Sequence, residues 1–238
     1  MSTKAIILAA GKSSRLYPLT IDTPKGLLDV AGVQPIVRIV HLLNKEGIED
    51  ITVVVGHKKE KIMSALGSAV TFHDFLDFET KNNFHTLWSI REKIVGDTLI
   101  LYSDVIFESA LLKKVLAPYA GDIALVIDTS AFRPESPRVR IDHGLITKIG
   151  KGKRTVTKEG FTCNFLGMTK LSPQGAKEFV KAMESLVENP DAYYSDAVSI
   201  LIQNKIPVIP IDIAGLRWIE IDTLEELETA RRLMKEIA

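Results

Sequence analysis

The sequence predicts a doubly wound α/β fold: a mixed, mostly parallel sheet with a small β-hairpin and helical elaboration in its second half. Three observations carry this. Short apolar runs alternate with helical patterns from residue 4 to residue 127. Residues 51–55, Ile-Thr-Val-Val-Val, are β-branched throughout, as in a central parallel strand. The first apolar run ends in Ala9-Ala10-Gly11 and opens into a polar loop.

Residues 4–8 form the first strand. An apolar stretch at 27–30 ends at the turn Ala31-Gly32. Pro35 opens a helix with Ile36, Ile39, Val40 and Leu43 on one face, stopped at Gly47. After strand 51–55 come Gly56 and His57, then a charged helix over 58–66. Strand 70–72 and a helix over 84–94 follow, the helix presenting Leu87, Ile90 and Ile94. Strand 99–102 ends in Ser103-Asp104; helix 110–116 and strand 123–127 complete the alternation, with right-handed crossovers. The pattern then changes. Residues 139–141 and 146–149 flank His143-Gly144 as a hairpin. Residues 161–169 read as a strand. Residues 173–187 read as an amphipathic helix burying Ala176, Phe179, Val180, Met183 and Leu186. Helix 193–203, strands 206–211 and 218–221, and helix 223–237 close the chain. Asp222 or Thr223 caps that last helix, with Glu225 and Glu226 in its first turn. No repeat or low-complexity tract divides the chain. It reads as one domain over 1–238, with halves at 1–130 and 131–238.

At 238 residues, 46% hydrophobic and 25% charged, the composition is that of a soluble globular protein. The 30 basic residues balance the 30 acidic ones, so no electrostatic case exists for nucleic acid or an anionic membrane. Cys163 is the single cysteine, which excludes an intrachain disulfide and fits a cytoplasmic protein. No apolar run has the length of a membrane span. Residues 4–8 enter the glycine loop without a cleavage-type site and read as a strand, not a signal peptide.

The loop chemistry points to phosphate. Small residues let the backbone approach a ligand closely, and successive exposed N–H groups make a concavity for anions. Arg15 and, ten residues on, Lys25 add the fixed positive charge that a triphosphate needs. The G-x-G-x-x-G spacing of a dinucleotide loop is absent. In open α/β sheets ligands bind at the carboxyl ends of strands, where Asp104 lies. Taken by itself, Asp104 could equally cap the next helix.

These segments resemble the nucleotidyltransferases that make NDP-sugars and CDP-alcohols. The residues are Leu8-Ala9-Ala10-Gly11, Lys12, Ser13-Ser14-Arg15-Leu16, Tyr17-Pro18-Leu19-Thr20 and Thr23-Pro24-Lys25. The resemblance implies a Rossmann-like, GT-A-like fold and a nucleotide site over Leu8 to Arg15, Lys25, Gly56 and Ser103. It implies Arg15 on the β- and γ-phosphates, Lys25 between the α-phosphate and the acceptor phosphate, and magnesium on Asp104 and Asp222. Asn82-Asn83-Phe84-His85-Thr86-Leu87 resembles the N-N-x-x-S/T-L segment of cytidylyltransferases acting on phosphocholine or aminoalkylphosphonates. That implies CTP, with Asn82 or Asn83 near base or ribose, and a small phosphorylated or phosphonate acceptor. A plain helix cap is the other reading of Asn82-Asn83.

The acceptor residues implied are Asp128, Lys151, Tyr193, Tyr194, Asp196 and Trp218, whose aromatic faces and carboxylate suit an ammonium group. The family's Gly-Glu is replaced here by Cys163-Asn164, so a neutral polyol phosphate, or another amine held by different contacts, stays open. Homodimers are common among related enzymes. Two other readings remain: a sugar-1-phosphate nucleotidyltransferase using UTP, dTTP or GTP, and a nucleotide-binding regulatory subunit without catalysis. The presence of Arg15, Lys25, Asp104 and Asp222 argues against the last.

Overall fold

The computed structural model describes residues 3–130, 137–150, 163–213 and 215–237. In chain order the elements are β1 (Lys4–Ala9), α1 (Pro35–Lys45), β2 (Ile51–Val55), α2 (Lys59–Leu66), β3 (Thr71–Asp74), α3 (Asn83–Ser89), β4 (Thr98–Tyr102), β5 (Val105–Phe107) and α4 (Ser109–Leu116). Then come β6 (Ile123–Asp128), β7 (Arg138–Asp142), β8 (Leu145–Gly150), β9 (Cys163–Leu171), α5 (Pro173–Glu184), α6 (Tyr194–Gln203), β10 (Val208–Asp212), β11 (Trp218–Glu220) and α7 (Leu224–Ile237).

The main sheet runs β10-β6-β9-β4-β1-β2-β3, with the β7–β8 hairpin attached to β9. β1 is parallel to both β2 and β4. The chain therefore leaves β1 toward one side and returns on the other, which opens a crevice at the carboxyl ends of β1 and β4. β9 runs antiparallel between β4 and β6, so both halves of the chain share one sheet.

Both faces of the sheet are covered, and the side-chain period of two explains how. Along β1, Ile6 and Leu8 join one core while Ala5, Ile7 and Ala9 join the other. The first core receives Phe84 and Leu87 from α3, Phe179 from α5, and Val198 and Leu201 from α6. The second receives Ile36, Ile39 and Leu43 from α1, Ile62 from α2, and Leu111 and Val115 from α4. Each such Leu or Ile contributes about 1.5–3 kcal/mol on burial. A third, smaller core packs α7 through Leu227, Ala230 and Met234 against Leu16, Ile106, Ile219 and Ile221. Among the described residues no helix is long and apolar enough to cross a membrane.

Several boundaries differ from the sequence pattern. The helix expected over 84–94 ends at Ser89, and a 3-10 turn at Arg91–Lys93 follows. Ile90 and Ile94 remain buried, so the apolar spacing reports burial and not an unbroken α-helix. The stretch 27–30 is a 3-10 turn, Lys25–Leu27, followed by an isolated Val30–Val33 bridge. The helix from Pro173 stops at Glu184 rather than 187. β5 is absent from the sequence reading; three residues beside two polar ones give too short a pattern to register. It forms a two-stranded antiparallel ladder with β11.

Two side-chain contacts add to the strand pairing of β9. Gly167 has φ +73°, and a Cβ there would lie 2.3 Å from the Tyr102 ring, so Tyr102 packs where only glycine leaves room. Lys170 Nζ donates to the carbonyls of Val115, Leu116 and Ala117 at 3.1, 3.0 and 2.9 Å. These are the unpaired carbonyls that end α4, so the lysine acts as a C-terminal cap from another strand. Lys170→Met is expected to lower stability by roughly 1.5–3 kcal/mol, the range for hydrogen bonds to a charged group. Urea unfolding would read this as a lower midpoint at constant m-value. A midpoint equal to wild type would show that water satisfies α4 equally well.

Candidate active site

A cavity of about 350 Å³ opens at the carboxyl ends of β1 and β4. Its floor is Leu8, Ala9, Ala10 and Gly11, the end of β1 and the start of the loop. Among the described residues, no atom beyond its chain neighbours lies within 4 Å of where a Gly11 Cβ would be, so that backbone face is open to a ligand. Ser13 then adopts φ 53°, the left-handed region, and its carbonyl accepts a hydrogen bond from Thr20 Oγ1 at 2.8 Å. This turn sends Arg15 back over the cavity. Gly26 lets the 3-10 turn after Pro24 lie against Ser103, whose carbonyl would be 3.0 Å from any Cβ. Lys25 is thereby brought beside Asp104.

The charges meet at one point. Lys25 Nζ contacts a carboxylate oxygen of Asp104 and lies 2.7 Å from Asp222 Oδ1. Arg15 Nη1 is 3.0 Å from Asp222 Oδ2. Glu220 joins them: ligand oxygens of Asp104, Glu220 and Asp222 all lie within 4.8 Å of one another. Burial alone would disfavour the Lys25 ammonium, but the charges of Asp104, Asp222 and Glu220 outweigh it and hold the pKa above the ordinary lysine value. Burial, with the charges of Asp104 and Asp222 added, pushes the Glu220 carboxyl up to about 8. The Asp104 Oδ1 atom is buried with no hydrogen-bond partner among the described residues. An all-oxygen cluster of three carboxylates with a spare buried lone pair on Asp104 fits a hard divalent cation.

The β5–β11 ladder assembles this cluster. Val105 pairs with Glu220, and the Ile221 N–H donates to the Asp104 carbonyl at 3.1 Å. The strand period of two aims Glu220 and Asp222 the same way. That alternation, in Trp218-Ile219-Glu220-Ile221-Asp222, was the signal by which the sequence could have yielded Glu220 as well. Asp222 does not cap α7. Thr223 does: Glu226 N donates to Thr223 Oγ1 at 3.2 Å, and Glu226 Oε2 accepts from Thr223 N at 2.9 Å and Asp222 N at 2.8 Å. This is a capping box one residue later, and it leaves the Asp222 carboxylate to Arg15 and Lys25.

The remaining sequence-derived residues divide. Ser103, Asn82, Asn83, Tyr193 and Tyr194 line the cavity with those above, joined by Lys81, Tyr102, Phe165 and Ser195, which the sequence reading did not single out. Lys12 pairs with Glu79 at 3.0 Å, and Ser14 begins the 3-10 turn carrying Arg15. Neither is among the lining residues, nor is Gly56, which packs against Ala10 and Phe78 where a Cβ would clash. Trp218 is 2% exposed and donates through Nε1 to Asp128 Oδ2 at 2.8 Å; Asp128 Oδ1 accepts from Ser130. Asp196 Oδ2 accepts the Tyr193 N–H at 2.8 Å, closing the first turn of α6. Asp128, Asp196 and Trp218 thus lie outside the cavity lining. Lys151 lies outside the described residues. The Asn82 carboxamide caps α3, accepting from Phe84 N at 3.1 Å.

The chain is 27% identical, over its whole length, to the bifunctional IPC transferase and DIPP synthase of Aquifex aeolicus, and it spans about half (53%) of that relative. It is 25% identical to the CTP:phosphoglutamine cytidylyltransferase of Campylobacter jejuni, covering 94% of this chain and 97% of that one. The inositol-1-phosphate CTP transferase of T. maritima superposes with a TM-score of 0.82 at 22% identity, covering 98% of this chain and 95% of the other, and so shares the fold. The family model described as nucleotidyl transferase matches residues 4–136, more than half of the chain and the very segment that builds the loop, Lys25 and Asp104. The chain belongs to the nucleotidyl transferase family.

Proposed function

We propose that the protein is a magnesium-dependent cytidylyltransferase. It transfers CMP from CTP to a small phosphomonoester or phosphonate and releases pyrophosphate. The observation that carries this reading is the Lys25 ammonium bridging Asp104 and Asp222, with Arg15 on the far oxygen of Asp222, at the mouth of the glycine loop. The resemblance of Asn82 to Leu87 to the cytidylyltransferase segment, and the CTP-named relative from C. jejuni, favour cytidine over other bases.

An oxygen of the acceptor phosphate attacks the α-phosphorus of CTP. A new P–O bond forms, the bond from the α-phosphorus to the bridging oxygen breaks, and the electron pair leaves with pyrophosphate. The attacking oxygen is already ionised, so no side chain has to remove a proton. The protein's work is alignment and charge neutralisation. Backbone N–H groups near Gly11 face the phosphates. Arg15 holds the β- and γ-phosphates. Lys25, kept protonated by its carboxylate neighbours, draws the α-phosphate and the acceptor phosphate together. Asp104 and Asp222, with Glu220 beside them, would hold the magnesium, which supplies charge neutralisation on the phosphates.

The acceptor end of the cavity favours a hydroxylated acceptor over an ammonium-bearing one. Asp196 is committed to the Tyr193 N–H, and Asp128 to Trp218 and Ser130. The Tyr194 ring stacks on Phe165 at 5.8 Å and meets Phe179 and Tyr102 on other sides, so its faces are already covered. Ser195 and Tyr102 also line the cavity, and hydroxyl side chains suit neutral hydroxyl partners.

Asp104→Asn and Asp222→Asn are each expected to lower kcat/KM for pyrophosphate release by about 10²–10³-fold, the scale for losing one group that stabilises transition-state charge. Retained turnover in both variants would remove the carboxylates from the mechanism. With the wild-type protein and CTP, a polyol monophosphate is expected to exceed phosphocholine in kcat/KM by about tenfold or more, a difference of one well-placed hydrogen bond to substrate. Preference for phosphocholine would refute the acceptor reading, and turnover confined to UTP or dTTP would refute the cytidine reading.

A further inference from the structure

Asn83 begins α3 and lines the cavity, but its carboxamide does more than face a ligand. Its Nδ2 donates to Tyr102 Oη at 3.0 Å, and its Oδ1 accepts the Tyr194 N–H at 3.1 Å. Tyr102 ends β4, immediately before Ser103-Asp104. Tyr194 is the first residue of α6, whose opening turn supplies Tyr193, Tyr194 and Ser195 to the acceptor end. One side chain therefore ties the first turn of a nucleotide-side helix to a strand end beside the carboxylates and to the first turn of an acceptor-side helix.

The neighbours leave little slack in this joint. The Tyr102 ring is seated against Gly167 and meets both Phe165 and Tyr194 edge-on. Asn82, next in sequence, fixes the start of α3 through its own cap, so Asn83 cannot swing without the helix. The Tyr194 N–H is among the amides at the start of a helix that no intrahelical carbonyl can accept. Asn83 satisfies it from across the cavity. Both polar atoms of the Asn83 carboxamide are thus engaged with protein before any nucleotide arrives.

We infer that Asn83 is a positioning residue that couples nucleotide occupancy to the acceptor end, acting through Tyr102 and the first turn of α6. This rests on the reading of the cavity as a nucleoside triphosphate site. A nucleotide seated against the start of α3 steadies Asn83, which steadies α6 and raises affinity for the acceptor. By linkage the acceptor then steadies the nucleotide to the same degree. A direct base contact as the main role of Asn83 would instead leave α6 indifferent to the nucleotide.

The test is amide hydrogen exchange with and without saturating magnesium and CTP, repeated with UTP. It is run on the wild-type protein and on Asn83→Ala, Asn83→Asp and Tyr102→Phe. In the wild type, nucleotide is expected to protect both the loop at residues 8–16 and the amides of residues 194–197, the latter by about fivefold or more, the lower end of ordinary coupling between sites. Asn83→Ala should keep the loop protection and lose that at α6. Asn83→Asp, which keeps an acceptor for Tyr194 N–H, should retain part of it. Tyr102→Phe removes one bond while keeping the ring, and should give an intermediate response if Asn83→Ala is compromised in folding. In turnover, Asn83→Ala should raise the acceptor KM at saturating CTP by about tenfold, the effect of two neutral hydrogen bonds lost, and the CTP KM at saturating acceptor to the same degree, while CTP affinity without acceptor changes little. Equal α6 protection in wild type and Asn83→Ala, or none in wild type despite protection of the loop, would overturn the coupling. A rise confined to the CTP KM would do the same. No protection of the loop by either nucleotide would instead bring down the triphosphate reading, and the coupling with it.

Discussion

Lys25 ends between Asp104 and Asp222, with Glu220 within reach of both carboxylates. Taking the Lys25, Asp104 and Asp222 charges out of water costs several kcal/mol for each, and removing one partner leaves the others uncompensated. The surrounding architecture has to hold them at fixed distances. Asp104 is at the end of β4, at the edge of the crevice created by the reversal of strand order around β1. Asp222 and Glu220 arrive from the other end of the chain on β11, and the three-residue β5 exists to receive it. Lys25 arrives on a 3-10 turn that Gly26 allows to lie flush against Ser103. Burial and the charges of Asp104 and Asp222 hold Glu220 toward its protonated form, and a divalent cation beside it would favour the ionised carboxylate.

Other polar residues relieve the site of structural duties. Thr223 and Glu226 close the start of α7, so Asp222 is released from capping. Asp196 closes the start of α6, and Asp128 takes the Trp218 indole N–H in a buried pair. The same residue types thus split between chemistry and scaffolding according to which backbone donors lie near them. The Asn82-Asn83 pair divides in the same way, one carboxamide serving as a local cap and the other as a bridge across the cavity.

Legibility in the sequence followed physical range. β1 and β2 were plain because each is an uninterrupted apolar or β-branched run buried on both faces. The loop, Arg15 and Lys25 stood out because their spacing is local and their chemistry points to phosphate, whereas Asp104, which by itself could equally cap a helix, stood out only through the family resemblance. Glu220 was missed although it lies two residues from Asp222, because a lone carboxylate in a short strand is ambiguous until β5 pairs with β11. Trp218 and Asp196 suggested an ammonium pocket; their actual partners are Asp128, 90 residues away, and the Tyr193 backbone, three residues away. The 3-10 turn at Arg91–Lys93 was hidden because its flanking isoleucines keep a helical spacing.

The most direct test of this account is calorimetric titration of the protein with CTP, first with magnesium and then with the cation chelated. The account predicts affinity at least about tenfold higher with magnesium, since the cation and the triphosphate each neutralise what the other brings and their coupling is mutual. Equal affinity with and without magnesium would contradict it, and would leave Asp104, Glu220 and Asp222 as a structural cluster around Lys25.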